Sequence, residues 1–484
     1  MTLRLSTLAS ALGLGLALAG CDAIENVEPR QSVSPEQALE SVDGFEAILV
    51  SGYDALQDQD YYGQSFMLVP DALADNARVP NESSNRYPSF VNNVTGAHLN
   101  RWGGHYGTIN EMNLVLSRID ALDVEAANPQ AVRDRIKGEA YFLRAINYFD
   151  LARTKGYEPG RAVDGFTQSV IIRTEPTEGV DEADFRARST ISEVYDLIRS
   201  DLTSAIGLLN GTARGSKYFA SVASANALLA RVELYASNWS ASEAAAEAAL
   251  AATSATLVED DGSGAALQAA WLSVTHPESI FELVMNPSTD GGTTSVNGSL
   301  QSLTDPTRGG FYDVVATTSL LSVYDDDDAR LALIDSATVS GEGVPYTLKY
   351  QGTTAQDVDR VPVFRVAEMY LILAEARAEQ GDTGGALEAL NTLRAARGLS
   401  EYNDASEEDG NASAADIVDQ VYLERRRELA FEGHRFFDLK RRGLDIPKPQ
   451  TGFSVLPYTN FRVLARIPFD QVSNNDLLDQ NPGY

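Results

Sequence analysis

Apolar residues recur at spacings of three and four through residues 132–155, 190–210, 219–237, 365–380, 383–397 and 412–432. That period belongs to helices that bury one stripe and must pack against each other. The predicted fold class is therefore mainly α. Between the helical stretches, residues 60–101 and 253–350 carry much of the Gly, Ser, Thr, Asn and Pro. Short β-prone runs at Ser279–Val284 and 347–350 interrupt them. Long irregular insertions on a helical frame are where binding residues tend to sit.

Two of the helical pairs look like one unit repeated. Residues 223–252 and 365–398 each give a helix, a short polar turn (Ser237-Asn238 and Gly381-Asp382) and a second, Ala-rich helix. Ala374 and Ala386 stand twelve apart, small residues where paired helices must approach closely. With a unit of about 34 residues this is similar to tetratricopeptide repeats, although Ala-rich helices of any bundle give a comparable pattern.

The N-terminus adds a destination. Residues 5–20 form an apolar stretch after Arg4, too short to span a bilayer, and 18–21 read LAGC. This resembles the bacterial lipoprotein signal, which implies cleavage after residue 20 and acylation of Cys21. An ordinary secretory signal with an incidental Cys21 would use the same stretch. Either way the chain is expected to leave the cytoplasm. Cys21 is the one cysteine of 484 residues, so it has no disulfide partner within the chain.

Charge narrows the partners. With 38 basic and 69 acidic residues the formal charge is −31, which repels nucleic acid rather than gaining from counterion release. Only six of the basic residues are Lys. This acidic, Arg-dominated composition suits either a salt-rich habitat, where screening shortens self-repulsion, or an Arg-biased codon usage. Residues 325–328 are four consecutive Asp but lack the Gly and terminal Glu of a calcium loop, so a solvated acidic turn is expected.

Four blocks late and early in the chain carry a family resemblance. Residues 424–443 read ERRRELAFEGHRFFDLKRRG and 467–484 read IPFDQVSNNDLLDQNPGY, with GEAYFLRAINYFDL at 138–151 and RVAEMYLILAEA at 365–376. Together they resemble the SusD/RagB family of outer-membrane nutrient-binding lipoproteins. Tyr141, Arg442, Gln471 and Asp476 depart from the family's usual residues inside otherwise matching blocks. Physically, 424–428 can form spaced charge pairs while Leu429, Phe431, Phe436, Phe437 and Leu439 supply core area, although the Arg residues could instead bind an anionic ligand. The rigid NPGY end suits docking against helices.

No catalytic pattern emerges. His98, His105, His276 and His434 lack metal-ligand spacing, and neither a GxSxG elbow nor a nucleotide-binding Gly loop is present. In so acidic a chain any single carboxylate pair carries no evidence for a glycosidase. The resemblance likewise implies a binder that is not an enzyme, with no cofactor and no metal.

The expected layout is a signal at 1–20 followed by a single domain at 21–484. Its helical core falls at about 35–59, 104–252 and 360–443, with ligand-side insertions at about 60–103 and 253–350. The resemblance implies an outer-membrane lipoprotein, lipid-anchored and facing the cell surface, that binds an oligo- or polysaccharide. It would act as a lid on a TonB-dependent β-barrel transporter (SusC-like), docking through the tetratricopeptide face. Its ligand site is expected in loops after the first helix and in the later insertion. Aromatic and hydrogen-bonding candidates there are Asp75, Asn76, Arg78, Tyr87, Trp102 and Tyr312, with Tyr61, Tyr62, Asn81, Arg86, Phe311 and Tyr324 nearby. Trp102 could equally pack against the helix it precedes, and Trp239 and Trp271 read as core. Two alternatives stay open: capture of a peptide or glycopeptide in the same type of complex, and a non-transport envelope scaffold. A scaffold would co-purify with several proteins, a lid with one large β-barrel.

Overall fold

A computed structural model describes residues 39–484 apart from 178, 180, 182, 183, 404–412 and 449–454. Cys21 and the apolar N-terminal stretch lie outside the described residues. Helix α1 (Val42–Asp54) is capped by Ser41, whose hydroxyl accepts from the Gly44 N–H at 3.2 Å. Helix α2 (Ser65–Ala72) follows, then α3 (Trp102–Arg118) and the long α4 (Pro129–Lys155). Proline opens α4 where a missing donor costs nothing. Helix α5 (Ile191–Leu209) starts from a capping box in which Thr190 and Glu193 satisfy each other's backbone N–H. Each of α3 to α5 packs on the next, and α1 lies against α3 and α4.

Two helix hairpins follow the expected plan: α6 (Val222–Tyr235) with α7 (Trp239–Ala252), and, after the short α8 (Ala265–Trp271), α9 (Val366–Glu379) with α10 (Thr383–Ala396). Ala374 and Ala386 are fully buried, and in the first hairpin Ala230 and Ser242 are likewise twelve apart and buried. The Ser242 hydroxyl donates to the Ala230 carbonyl at 2.9 Å, so the helices touch backbone to side chain. Both turns need left-handed backbone, at φ 55° for Ser237 and 82° for Gly381. Helix α7 packs on α9, which also meets α11 (Ala414–Glu428); α12 (Arg435–Arg441) follows. The one-sided stripe expected for α9 is absent. Ala367, Met369, Leu371, Ile372, Leu373 and Ala374 are all buried, because α7, α10 and α11 enclose the helix.

Among the described residues, eight short strands pair into four antiparallel ribbons. They are β1 (Ala77–Arg78), β2 (Ser279–Val284), β3 (Val315–Ala316), β4 (Ile334–Val339), β5 (Glu342–Thr347), β6 (Arg360–Arg365), β7 (Ile446–Pro447) and β8 (Val455–Leu456). Ala77 faces Ala316 across β1 and β3, and β2 pairs with β6, so both ribbons tie sequence-distant segments together. The strand expected at 347–350 lies earlier. Ser340 and Gly341, both at positive φ, make a two-residue hairpin turn between β4 and β5. Tyr350 is instead buried, its hydroxyl donating to the Phe431 carbonyl at 2.7 Å.

Part of the first expected insertion is core. Tyr61, Tyr62, Phe66, Met67, Leu68 and Val69 are all buried. Gly433 shows how closely α2 meets the C-terminal motif. It sits at φ 81°, and a Cβ there would lie 2.1 Å from the Phe66 carbonyl oxygen.

Candidate functional site

Motif 424–443 is a buried charge hub. Glu428 meets Arg330, Arg365 and Arg397 at 2.9–3.3 Å, and Glu278 shares Arg365 and Arg397 at 2.6 and 2.8 Å. Lys349 and Arg365 converge on Glu432, while Arg441 grips Glu375 with two bonds of 2.7 Å. Burial pushes the Glu428 carboxyl up, but Arg397 and Arg365 outweigh it and hold it well below the usual carboxylate range. These charges are spent on one another, so the motif's role is structural. The acidic run 325–328 is only partly solvated. Asp325 pairs with Arg427 at 3.1 Å, whereas Asp328 is buried against Arg330 at 2.7 Å.

Several candidates from the sequence sit in this body. Asp75 is buried, held by Arg435 and by Arg426 at 3.0 Å. Burial raises its carboxyl, yet Arg435 and Arg426 bring it below its ordinary value. Asn76 is fully buried, donating to Asp71 at 2.7 Å and accepting from Arg426 at 2.8 Å. Tyr61 and Tyr62 are buried, the Tyr61 hydroxyl on Asp150 at 2.6 Å. Tyr87 is buried beside Phe90, ring centroids 5.5 Å apart. The half-buried Tyr324 donates to the Arg427 carbonyl at 2.8 Å. Trp271 is buried against His276, and Trp239 is half-buried. All four His are buried, and desolvation depresses each of them. Among the described residues no three His, Cys, Asp or Glu come together as a metal site.

The surface above β1 gathers the others. Arg78 pairs with Glu342 and donates to the Gly343 carbonyl at 2.9 Å, so the β4–β5 hairpin leans on the loop after β1. Arg86, exposed on its outer side, reaches Asp313 at 2.9 Å and the Asn297 carbonyl at 2.6 Å, with its guanidinium 4.3 Å above the Phe311 ring. Tyr312 donates to the Glu82 carbonyl at 2.6 Å from a backbone at φ 35°, a conformation a non-glycine residue holds only when its surroundings enforce it. Exposed amides at Asn81, Asn85 and Asn297 surround this stack. The loop around 79–95 and the segment 297–313 thus form one face with a half-buried Phe and Tyr amid hydrogen-bonding groups. Sequence reading found Arg86, Phe311 and Tyr312 but missed Asp313, Asn297 and Glu342. Nothing local in the chain announces a contact across more than 200 residues.

Trp102 lies elsewhere. It is buried at the start of α3, its ring 4.9 Å from that of Tyr106. Both rings line a cleft of about 370 Å³ between α3, the residues Ile171, Arg173, Thr177 and Phe185, and the helix Phe469–Asn474. The Tyr106 hydroxyl both donates to and accepts from the Ile171 backbone, at 2.7 and 2.9 Å.

A family model described as "SusD family" matches residues 338–484, and one described as "Starch-binding associating with outer membrane" matches residues 31–234. Both models are of SusD type, in keeping with the SusD/RagB resemblance carried by residues 424–443 and 467–484. Two SusD-like proteins of Formosa agariphila are each 25% identical to it, over 98% and 97% of this chain and 97% and 98% of their own. A putative sugar binding protein from Bacteroides vulgatus superposes with a TM-score of 0.78 at 25% identity, covering 92% of this chain and 99% of that one. A laminarin binding SusD-like protein superposes at 0.71 with 22% identity, over 92% of this chain and 100% of its own, a likeness of fold. No helix among the described residues is long and apolar enough to cross a membrane.

Proposed function

We propose that this chain captures an extracellular oligo- or polysaccharide at the cell surface, anchored by lipid on Cys21, and hands it to a TonB-dependent β-barrel transporter. The observation that carries the reading is the face built from Arg86, Phe311 and Tyr312. A sugar ring offers an apolar side to aromatic and guanidinium planes and hydroxyls to surrounding amides, and that face supplies both. Asp75, Asn76 and Tyr87 act from beneath it. The Asp75 and Asn76 carbonyls accept from Thr317 at 2.7 and 2.9 Å, which locks β1 to β3. The SusD-type match and the sugar-binding and laminarin-binding neighbours support a glycan ligand, and the family model's outer-membrane description supports the location.

The test is a binding screen of lipid-free protein starting at Asp22, in high and low salt, against glucans including laminarin, fructans, other plant and marine glycans, and mixed peptides. Saturable glycan binding that falls with Arg86→Ala and Phe311→Ala supports the reading. A peptide-only response would replace it with peptide capture.

A further inference from the structure

The Trp102 cleft shares no residue with the Arg86–Phe311–Tyr312 face, and its chemistry is specific. Its floor is bare helix backbone at Gly103 and Gly107, where an added Cβ would meet nothing within 4 Å. One wall is aromatic, formed by Trp102 and Tyr106, and Phe185 at the opposite wall is 38% exposed. At the mouth lie the exposed amides of Gln471 and Asn474, and near them Phe469, 78% exposed. An open Phe beside a cavity with an aromatic wall and a few amides at its rim is the usual make-up of a small-ligand site.

The polar groups say what kind of ligand fits. Arg173 is the sole cation among the described lining residues, and it is engaged. It donates to the Thr177 hydroxyl at 3.2 Å and to the Asp184 carbonyl, with the Asp184 carboxylate 3.8 Å away. Among the described lining residues there is no carboxylate to pair with a basic group, Arg173 is already held by Thr177 and Asp184, and the chain's formal charge of −31 opposes polyanions at longer range. No strand edge among the described residues lines it either, so an extended peptide has no backbone ladder to join there. What remains is a ligand with an apolar face and a rim of neutral hydroxyls. We infer that this cleft is a second binding site, independent of the proposed capture face, and that it takes a neutral hexose unit.

The probes are laminaritriose and cellotriose, with trigalacturonate and trialanine as charged-sugar and peptide controls, titrated onto the lipid-free chain with tryptophan fluorescence as the readout. Wild type is compared with Arg86→Ala/Phe311→Ala, which disables the other face, and with Gly107→Leu, which fills the cleft from a helix position open to space. A neutral trisaccharide is expected to perturb fluorescence in wild type and in Arg86→Ala/Phe311→Ala alike, and to bind at least tenfold more weakly to Gly107→Leu at an unchanged melting temperature. Phe185→Ala, an exposed position, gives a second readout with the same expected weakening. Unchanged affinity in both cleft variants, loss with Arg86→Ala/Phe311→Ala alone, preference for trigalacturonate or trialanine, or no response to any probe would each overturn the second site. Because the capture face is tested by its own variants, its failure is read separately.

Discussion

Arg435 and Asp75 stand 360 positions apart and meet as a two-point ion pair, Nε to Oδ1 at 2.7 Å and Nη2 to Oδ2 at 3.0 Å. Asp75 precedes the strand that begins the proposed capture face, and Arg435 opens α12. The pair therefore couples the position of that face to the most recognisable motif of the chain. Asp75→Ala leaves Arg435 and Arg426 without their buried counter-charge and is expected to cost about 3 kcal/mol or more. Urea unfolding of the two proteins at one pH checks this.

At the face itself the expected effect falls on affinity rather than stability. Phe311→Ala removes the ring beneath Arg86 and should weaken binding of the responding glycan about fivefold, in line with roughly 1 kcal/mol for a ring contact beyond its area. Isothermal titration gives the affinity, and a melting temperature within about 2 °C of wild type shows that the fold is kept.

Glu428 is the shared partner of three guanidinium groups. Glu428→Gln leaves Arg330, Arg365 and Arg397 underpaired and is expected to destabilise by about 3–5 kcal/mol. Its carboxyl is depressed in the folded chain, so the stabilisation it brings is present above the unfolded value and is lost as pH falls through the folded one. The wild-type advantage over Glu428→Gln should therefore shrink on acidification, in denaturant midpoints from pH 7 downward.

Asp71 has the opposite sign. Burial pushes its carboxyl up to about 6 from 3.8, against hydrogen bonds from Asn76 and the Phe431 N–H. Between those values the folded chain keeps a proton that the unfolded chain has released, so this group's contribution falls as pH rises from about 4 to 6. Relative to wild type, Asp71→Asn should gain about 2–3 kcal/mol between pH 4 and pH 7. The same denaturant series reads it.

Cys21→Ala is expected to move the protein from the membrane fraction to the soluble fraction when it is expressed in its host. Persistence of the variant in the membrane would remove the lipid anchor from the proposal.

The helical frame could be read from the chain because its signals are local. Spacings of three and four, caps such as Thr190 with Glu193, and small residues at 374 and 386 all act within one or two turns. Segment 60–76 was harder, since its helix is only eight residues long and is flanked by turn-rich sequence. Asp75 and Asn76 are polar residues in a turn-rich stretch, the composition of a binding site. Their partners Arg426 and Arg435 lie some 350 residues downstream, and no local pattern distinguishes a carboxylate awaiting a ligand from one awaiting an arginine. Tyr312 illustrates the converse, because its residue type suggested contact with a sugar but its positive φ and its bond to Glu82 required coordinates.

The charge hub also sets an order of events. Asp75, Glu158 and Glu375 lie on segments made early or midway, yet they receive cations from Arg435, Lys440 and Arg441. A chain growing from its N-terminus holds these carboxylates uncompensated until its last sixth arrives. Burial before that moment would strand a charge, so the scaffold cannot close around an incomplete chain. Removing the chain from Arg435 onward is therefore expected to leave the scaffold open, since Asp75, Glu158 and Glu375 lose these cations together.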